Sequence, residues 1–246
     1  EISTEHNYAT LRLDKPGYQY QLESVFAARQ IGWDREHVGS HIVRRNTIRS
    51  KNLDLGVRGD GLRLWYSNNN LIEQNEIIDS RDMVAWYAHK NIFRQNLGRR
   101  SRYSIHFMFA NDNIVERNEF FDNAVGVYFM YTEGGVARKN IISHATGATG
   151  MGIGFKEASG AVIENNEIIY CGIGIGSDLS PFQPDSTIEV RGNRYISRLN
   201  GVVMVSPFLN AASGVDGIEL DLPHALYFPT LAATALLVAS DDVPAS

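Results

Sequence analysis

The stretch NDNIVERNEFFDNAVGVYFMYTEGGVARKNIIS, residues 111–143, states one short phrase twice. IVERNEF (114–120) and VARKNII (136–142) each run apolar, charged, polar, asparagine, any residue, apolar. Working outward, the phrase recurs as HIVRRNTI (41–48), LIEQNEI (71–77), IFRQNLG (92–98), VIENNEI (162–168) and EVRGNRY (189–195). The asparagines are Asn46, Asn75, Asn96, Asn118, Asn140, Asn166 and Asn193, spaced by 29, 21, 22, 22, 26 and 27 residues. The central repeats are therefore about 22 residues long, and the longer ones carry loop insertions.

A repeat of this length, with short apolar alternation and no helical spacing, predicts a right-handed parallel β-helix, a solenoid with one coil per repeat and seven or more coils. Leucine-rich repeats share the length but need a leucine ladder that is missing here. Equivalent residues of successive coils, about 4.8 Å apart, then form columns. Two positions before each asparagine stand Arg44, Glu73, Arg94, Glu116, Arg138, Glu164 and Arg191, alternating in sign at every step. An outward ladder of ion pairs would place them so, each pair worth about 0.2–1 kcal/mol. One position earlier, Val43, Ile72, Phe93, Val115, Ala137, Ile163 and Val190 are all apolar and form the inward column. The asparagines are expected at bends, tolerating the left-handed backbone and hydrogen-bonding from coil to coil. This division makes residues 1–40 an N-terminal segment or cap, 41–206 the repeat domain and 207–246 a C-terminal tail or cap.

About ten residues before each asparagine lies a second strand: GLRLWYS (61–67), MVAWYAH (83–89), SIHFMFA (104–110), GVYFMYT (126–132) and GIGFKEA (152–158). Alternation sends Leu62, Leu64, Ala85, Ile105, Phe107, Val127 and Phe129 inward. Outward go Arg63 and Trp65, Val84 and Trp86, His106 and Met108, Tyr128 and Met130, and Ile153 and Phe155. The apolar stripe Trp65, Trp86, Met108, Met130, Phe155 marks a binding face or a surface covered by another segment, with 225–239 available. Two thioethers and an imidazole on neighbouring coils make a soft ligand set suited to Cu(I). The expected site is His106, Met108 and Met130, with Trp86 as a lid offering cation–π shielding. Arg63, Trp65, Tyr128, Phe155 and Lys156 complete a ligand or partner surface. Lys156 is aligned with the aromatic series Tyr66, Tyr87, Phe109 and Tyr131.

Other patterns carry less. His37 and His41 lack the helix and the intervening Glu of a zinc protease. Gly56, Gly59 and Gly61 are not followed by the Lys-Ser/Thr of a phosphate loop. Ser80, Arg81, Asp82 and His89 are compatible with hydrolytic chemistry and equally with a bend. Asp79, Arg100 and Asp122 share a column and read as a salt-bridge ladder. Net charge −5, with 28 acidic against 23 basic residues and no basic block, argues against nucleic acid. The single cysteine, Cys171, excludes an internal disulfide or CxxC site. The longest apolar stretch, 225–239, is too short for a spanning helix and carries Pro229. The chain opens at Glu1 without a charged-then-apolar leader, which reads as a processed form or a piece of a longer protein.

The segments GLRLWYS, DSRDMVAWY, SIHFMFANDNIVERNEFFDNAVGVYFMYT and GMGIGFKEASGAVIENNEI resemble the NosD family, periplasmic β-helix proteins that assist maturation of nitrous oxide reductase. The likeness covers about 41–200 and rests on motifs at Leu64–Ser67, Val84–Tyr87, His106–Phe109 and Phe129–Tyr131. It implies a pectin lyase-like solenoid outside the cytoplasm, peripheral to a membrane at most. It also implies a non-enzymatic role beside an ABC transporter, a copper chaperone and a copper reductase. The broader group, described as carbohydrate-binding and sugar-hydrolysis β-helices, keeps a second reading open: a polysaccharide-binding or -processing protein using Trp65, Trp86 and Tyr128 against sugar rings. The outward columns carry no acid pair of the kind glycoside hydrolysis needs.

Overall fold

The computed structural model describes residues 40–49, 54–146 and 150–196. It also gives the backbone of the strands at 2–4, 9–14, 19–24, 202–205, 218–221, 225–229 and 235–239. Three parallel sheets wrap one core. The first carries the charged ladder through His41–Arg44, Leu71–Glu73, Ile92–Arg94, Ile114–Glu116, Val136–Arg138, Val162–Glu164 and Ile188–Arg191. The second follows each asparagine, from Thr47–Arg49 to Arg194–Ile196, in seven strands. The third contains Leu62–Trp65, Asp82–Trp86, Tyr103–Met108, Val125–Met130, Met151–Lys156 and Ile173–Asp178. The first two sheets each stack seven such strands and these six third-sheet strands span five turns, a count slightly different from the seven or more coils expected from the repeats.

Strands 2–4 and 9–14 each pair antiparallel, with 41–44 and 19–24 respectively, and 19–24 lies parallel to Leu62–Trp65. At the other end 218–221 adds in parallel to Ile188–Arg191, while 225–229 and 235–239 form an antiparallel pair. The rest of the terminal segments, including His37, lies outside the described residues.

Both columns of the repeat are in register. Arg44, Glu73, Arg94, Glu116, Arg138, Glu164 and Arg191 are successive partners. Arg94 reaches Glu73 at 2.8 Å, Arg138 reaches Glu116 at 2.7 Å, and Arg191 reaches Glu164 at 3.0 Å. The preceding apolar column, Val43 to Val190, is buried throughout. Phe107, Phe129 and Phe155 stack along the axis at 5.1 and 5.6 Å, and Phe93 meets Phe107 edge-on. Such spacing gives each ring both area burial and an offset-stacked partner.

The asparagines hydrogen-bond from coil to coil as expected, but they do not take the left-handed position. At the ladder's bends the left-handed residue is the one before each asparagine: Arg45, Gln74, Gln95, Arg117, Lys139, Asn165 and Gly192. The asparagine itself points inward. From Asn75 on, each is buried and donates Nδ2 to a carbonyl of the preceding coil. Asn46, Asn75, Asn96, Asn118, Asn140 and Asn166 each donate Nδ2 to Oδ1 of the next asparagine at 2.9–3.0 Å. A bend leaves backbone groups unpaired within its own coil, and these amides satisfy them. A second amide ladder, Asn70, Asn91 and Asn113, serves the next corner in the same way. Among the described residues no helix is long and apolar enough to cross a membrane.

Candidate functional site

The outer face of the third sheet gathers the soft and aromatic side chains. Register fixes its columns. Trp65, Trp86, Met108, Met130, Lys156 and Asp178 are successive partners in one. Arg63, Val84, His106, Tyr128, Gly154 and Gly176 are successive partners in the next. His106, Met108 and Met130 thus occupy neighbouring positions, with Trp86 directly beside Met108 on the preceding coil.

Three residues are placed differently from expectation. Phe155, with Ile153, faces inward: Phe155 pairs with Phe129, stacks on it and is buried. A side-chain period of two means that a slip of one residue reverses every orientation in a strand. Lys156 therefore continues the column of Met130 and not the aromatic series. Glu157 takes the left-handed position held by Tyr66, Tyr87, Phe109 and Tyr131 on earlier coils. The apolar stripe ends at Met130 and passes into the charged partners Lys156 and Asp178.

The aromatic series forms a stack of its own. Tyr66, Tyr87, Phe109 and Tyr131 lie 4.8, 5.1 and 4.7 Å apart with their planes within 16°. Trp65 tilts against Trp86 at 5.0 Å. Inner rings of such a stack have both faces covered by neighbours, so edges rather than faces are offered to a ligand.

At the start of the third-sheet strands lies a buried polar cluster. Asp60 is fully buried and accepts Arg81 Nε at 2.8 Å and Nη2 at 3.0 Å, and it also accepts Arg63 Nε at 2.9 Å. Arg63 is thus engaged by a carboxylate at the root of its own strand. Asp82 is buried and accepts Arg102 Nε at 2.9 Å, with Arg102 Nη2 on its other oxygen. His106 Nδ1 stands 3.9 Å from Asp82 Oδ2. Burial works to raise the Asp82 carboxyl, but the contacts with His106 and Arg102 outweigh it and hold it below the usual carboxylate range. A β-bulge between Tyr103 and His106 offsets this strand by one residue against its predecessor, a device that re-aims side chains.

His106 is 8% exposed, between Tyr103 at 4.7 Å and Tyr128 at 5.9 Å edge-on. Burial raises both phenols, Tyr128 to about 12, so both rings stay neutral. His106 Nε2 and Trp86 Nε1 are buried without a hydrogen-bond partner among the described residues. Ser104 Oγ and Thr132 Oγ1 are likewise unpartnered, and each such atom calls for a completing group, a water or an ion. Among the described residues no three His, Cys, Asp or Glu side chains cluster as a metal site. A metal on this face would therefore rely on imidazole and thioether donors, a set that fits a soft monovalent ion and not Mg²⁺ or Ca²⁺.

Sequence reading missed Asp82, Arg102 and Tyr103 as neighbours of His106. The available signal was the spacing, since Arg102 follows Asp82 by 20 residues, about one coil. The hydrolytic grouping does not assemble: Ser80 Oγ bonds Ser101 Oγ at 3.0 Å, while His89 Nδ1 accepts the Asn111 backbone N–H at 3.0 Å. Arg100 bonds Asp79 at 2.7 and 2.9 Å, as the column of Asp79, Arg100 and Asp122 suggested. The Cys171 thiol is pushed up to about 11, chiefly by burial, which leaves it an inert thiol at neutral pH.

Comparison with known proteins bears on the whole solenoid. Residues 38–207 match the sequence model of the family described as periplasmic copper-binding protein (NosD). No curated protein matches the chain. A crystal structure of alginate lyase from Paenibacillus sp. str. FPU-7 aligns at TM-score 0.40 and 10% identity, over 73% of this chain and 75% of that one.

Proposed function

From the chain's membership of the NosD family, to which the match over residues 38–207 assigns it, we propose that it binds or relays copper as an accessory protein. The ion is cargo, carried as Cu(I) by His106, Met108 and Met130 with Trp86 beside them. The observation that carries this reading is the unpartnered, buried Nε2 of His106 next to two in-register methionines. Thioethers and a neutral imidazole bind a soft monovalent ion without requiring a buried negative charge at its side. The rings of Tyr103 and Tyr128 flank the imidazole, so entry of the ion requires one of them to swing aside. The protein then acts outside the cytoplasm beside an ABC transporter and a copper chaperone, toward a copper reductase such as nitrous oxide reductase.

Polysaccharide binding has less to rest on. The rings that would stack on sugars cover one another, and Trp65 and Trp86 are already in mutual contact. Anaerobic titration with Cu(I) is the test, and we expect about one ion per chain. A Met108→Ala, Met130→Ala double variant that kept its affinity unchanged would defeat the assignment. Turnover of alginate or pectate would restore the alternative.

A further inference from the structure

We propose that Asp82 is a positioning residue for His106, fixing which ring nitrogen is free to bind; the inference rests on the copper reading of this face. A neutral imidazole carries one proton, and the partner of one nitrogen decides the role of the other. Nδ1 faces the buried Asp82 carboxylate at 3.9 Å. An N–H there is attracted by the negative oxygen, whereas a lone pair there is repelled by it. The opposite tautomer would also bury an unpaired N–H donor at Nε2, since that atom has no partner among the described residues. Both effects put the proton on Nδ1 and leave the Nε2 lone pair as the donor to a soft ion.

The carboxylate is itself held. Arg102 engages both Asp82 oxygens, and its guanidinium lies 4.8 Å from the Tyr103 ring centroid. Tyr103 in turn packs against the imidazole. Arg102, Asp82, Tyr103 and His106 form a closed set in which no member can rotate without disturbing another. It spans two coils, so the stacking of the solenoid sets the orientation of the imidazole.

The test begins on the copper-free wild type with ¹⁵N-labelled histidine, the His106 signals being assigned by their loss in His106→Gln. We expect the Nδ1-protonated pattern; an Nε2-protonated ring would overturn the proposal without any further variant. Asp82→Asn should then mix the tautomers and weaken Cu(I) binding, by chelator competition, by about 10–100-fold. An unchanged tautomer and an affinity within about twofold of wild type would refute the role. Should Asp82→Asn fail to fold, the wild-type spectrum remains decisive. If His106→Gln binds Cu(I) as tightly as wild type, the copper assignment falls while the tautomer result still stands by itself.

Discussion

Removing one rung of the buried amide ladder should cost more than removing any surface ion pair. Asn118 is fully buried at the middle of the column. Its Oδ1 accepts the Asn96 backbone N–H at 2.9 Å and Asn96 Nδ2 at 3.0 Å. Its Nδ2 donates to the Phe93 carbonyl at 3.0 Å and to Asn140 Oδ1 at 2.9 Å. Asn118→Ala deletes these four bonds at a net worth of about 1 kcal/mol each, and it strands buried donors and an acceptor on two neighbouring coils. We expect a loss of about 4 kcal/mol. With a urea m-value of about 2 kcal/mol/M, that moves the midpoint down by about 2 M. Equilibrium urea unfolding followed by circular dichroism measures it, with hydrogen exchange of the Asn96 amide as a local readout. The half-buried first rung provides the control, and Asn46→Ala should lose less than half as much. A loss below about 1 kcal/mol for Asn118→Ala would show that water replaces the amide at little cost, and the argument that these side chains hold the bends would fail.

Three further expectations use the same assay. Phe155→Ala should lose about 3–5 kcal/mol, because the ring is buried against Phe129; a loss under about 1 kcal/mol would return it to the outer face. Arg138→Ala should lose no more than about 1 kcal/mol, the side chain being 39% exposed, and the difference from wild type should shrink in high salt. His89 is drawn below its ordinary value of 6.5, first by burial and then by Lys90, against the opposing pull of Asp112. Its contribution is therefore intact above about pH 6.5 and is lost as the pH falls toward the lowered folded value, when protonation removes the Nδ1 acceptor of Asn111. Asn68 and Asn111 make the equivalent cap on neighbouring coils, so His89→Asn should keep the fold and flatten that acid limb of the stability profile. A profile unchanged in His89→Asn would assign the limb to other groups.

The architecture was legible because it is written in columns. Arg44 to Arg191 alternate in sign only if neighbouring coils are in register, and Val43 to Val190 are apolar only if the preceding position faces in. One sequence of this kind carries its own alignment, and each coil tests the others. What the phrase could not convey was the direction of the asparagine side chain. An amide suits a left-handed bend and a buried bend-filling role equally, and the backbone assigns the bend to the residue before it, where arginine, glutamine and lysine are accepted. That choice follows from the supply of unpaired backbone groups: only an inward amide can accept the preceding coil's backbone N–H through Oδ1 while its Nδ2 donates to a carbonyl of that coil and to the next asparagine's Oδ1.

The candidate site was legible where a strand resembled its neighbours and obscure where it did not. His106, Met108, Met130 and Trp86 fall in adjoining outer positions because SIHFMFA and GVYFMYT pair residue for residue from Ile105 and Val127 to Met108 and Met130, and Trp86 pairs with Met108. GIGFKEA has glycines at 152 and 154, so alternation of apolar and polar residues no longer marks a face, and a reading one position out sends Phe155 to the surface. The register corrects this through its neighbour, since Phe129 and Phe155 are partners while Tyr128 meets Gly154. A side chain at 154 would collide with the Tyr128 ring and with Met151 Sδ, so glycine there is the condition for Tyr128 to lie flat over the next coil and flank His106. The glycine that blurred the pattern in sequence thus belongs to the same face as the imidazole it helps enclose. Gly154→Ala should accordingly displace Tyr128 and expose His106 Nε2. We expect faster Cu(I) uptake with the three donors unchanged, measured by stopped-flow chelator exchange. Uptake at the wild-type rate, with the tyrosine ring shown to have moved, would refute the idea that this ring controls entry.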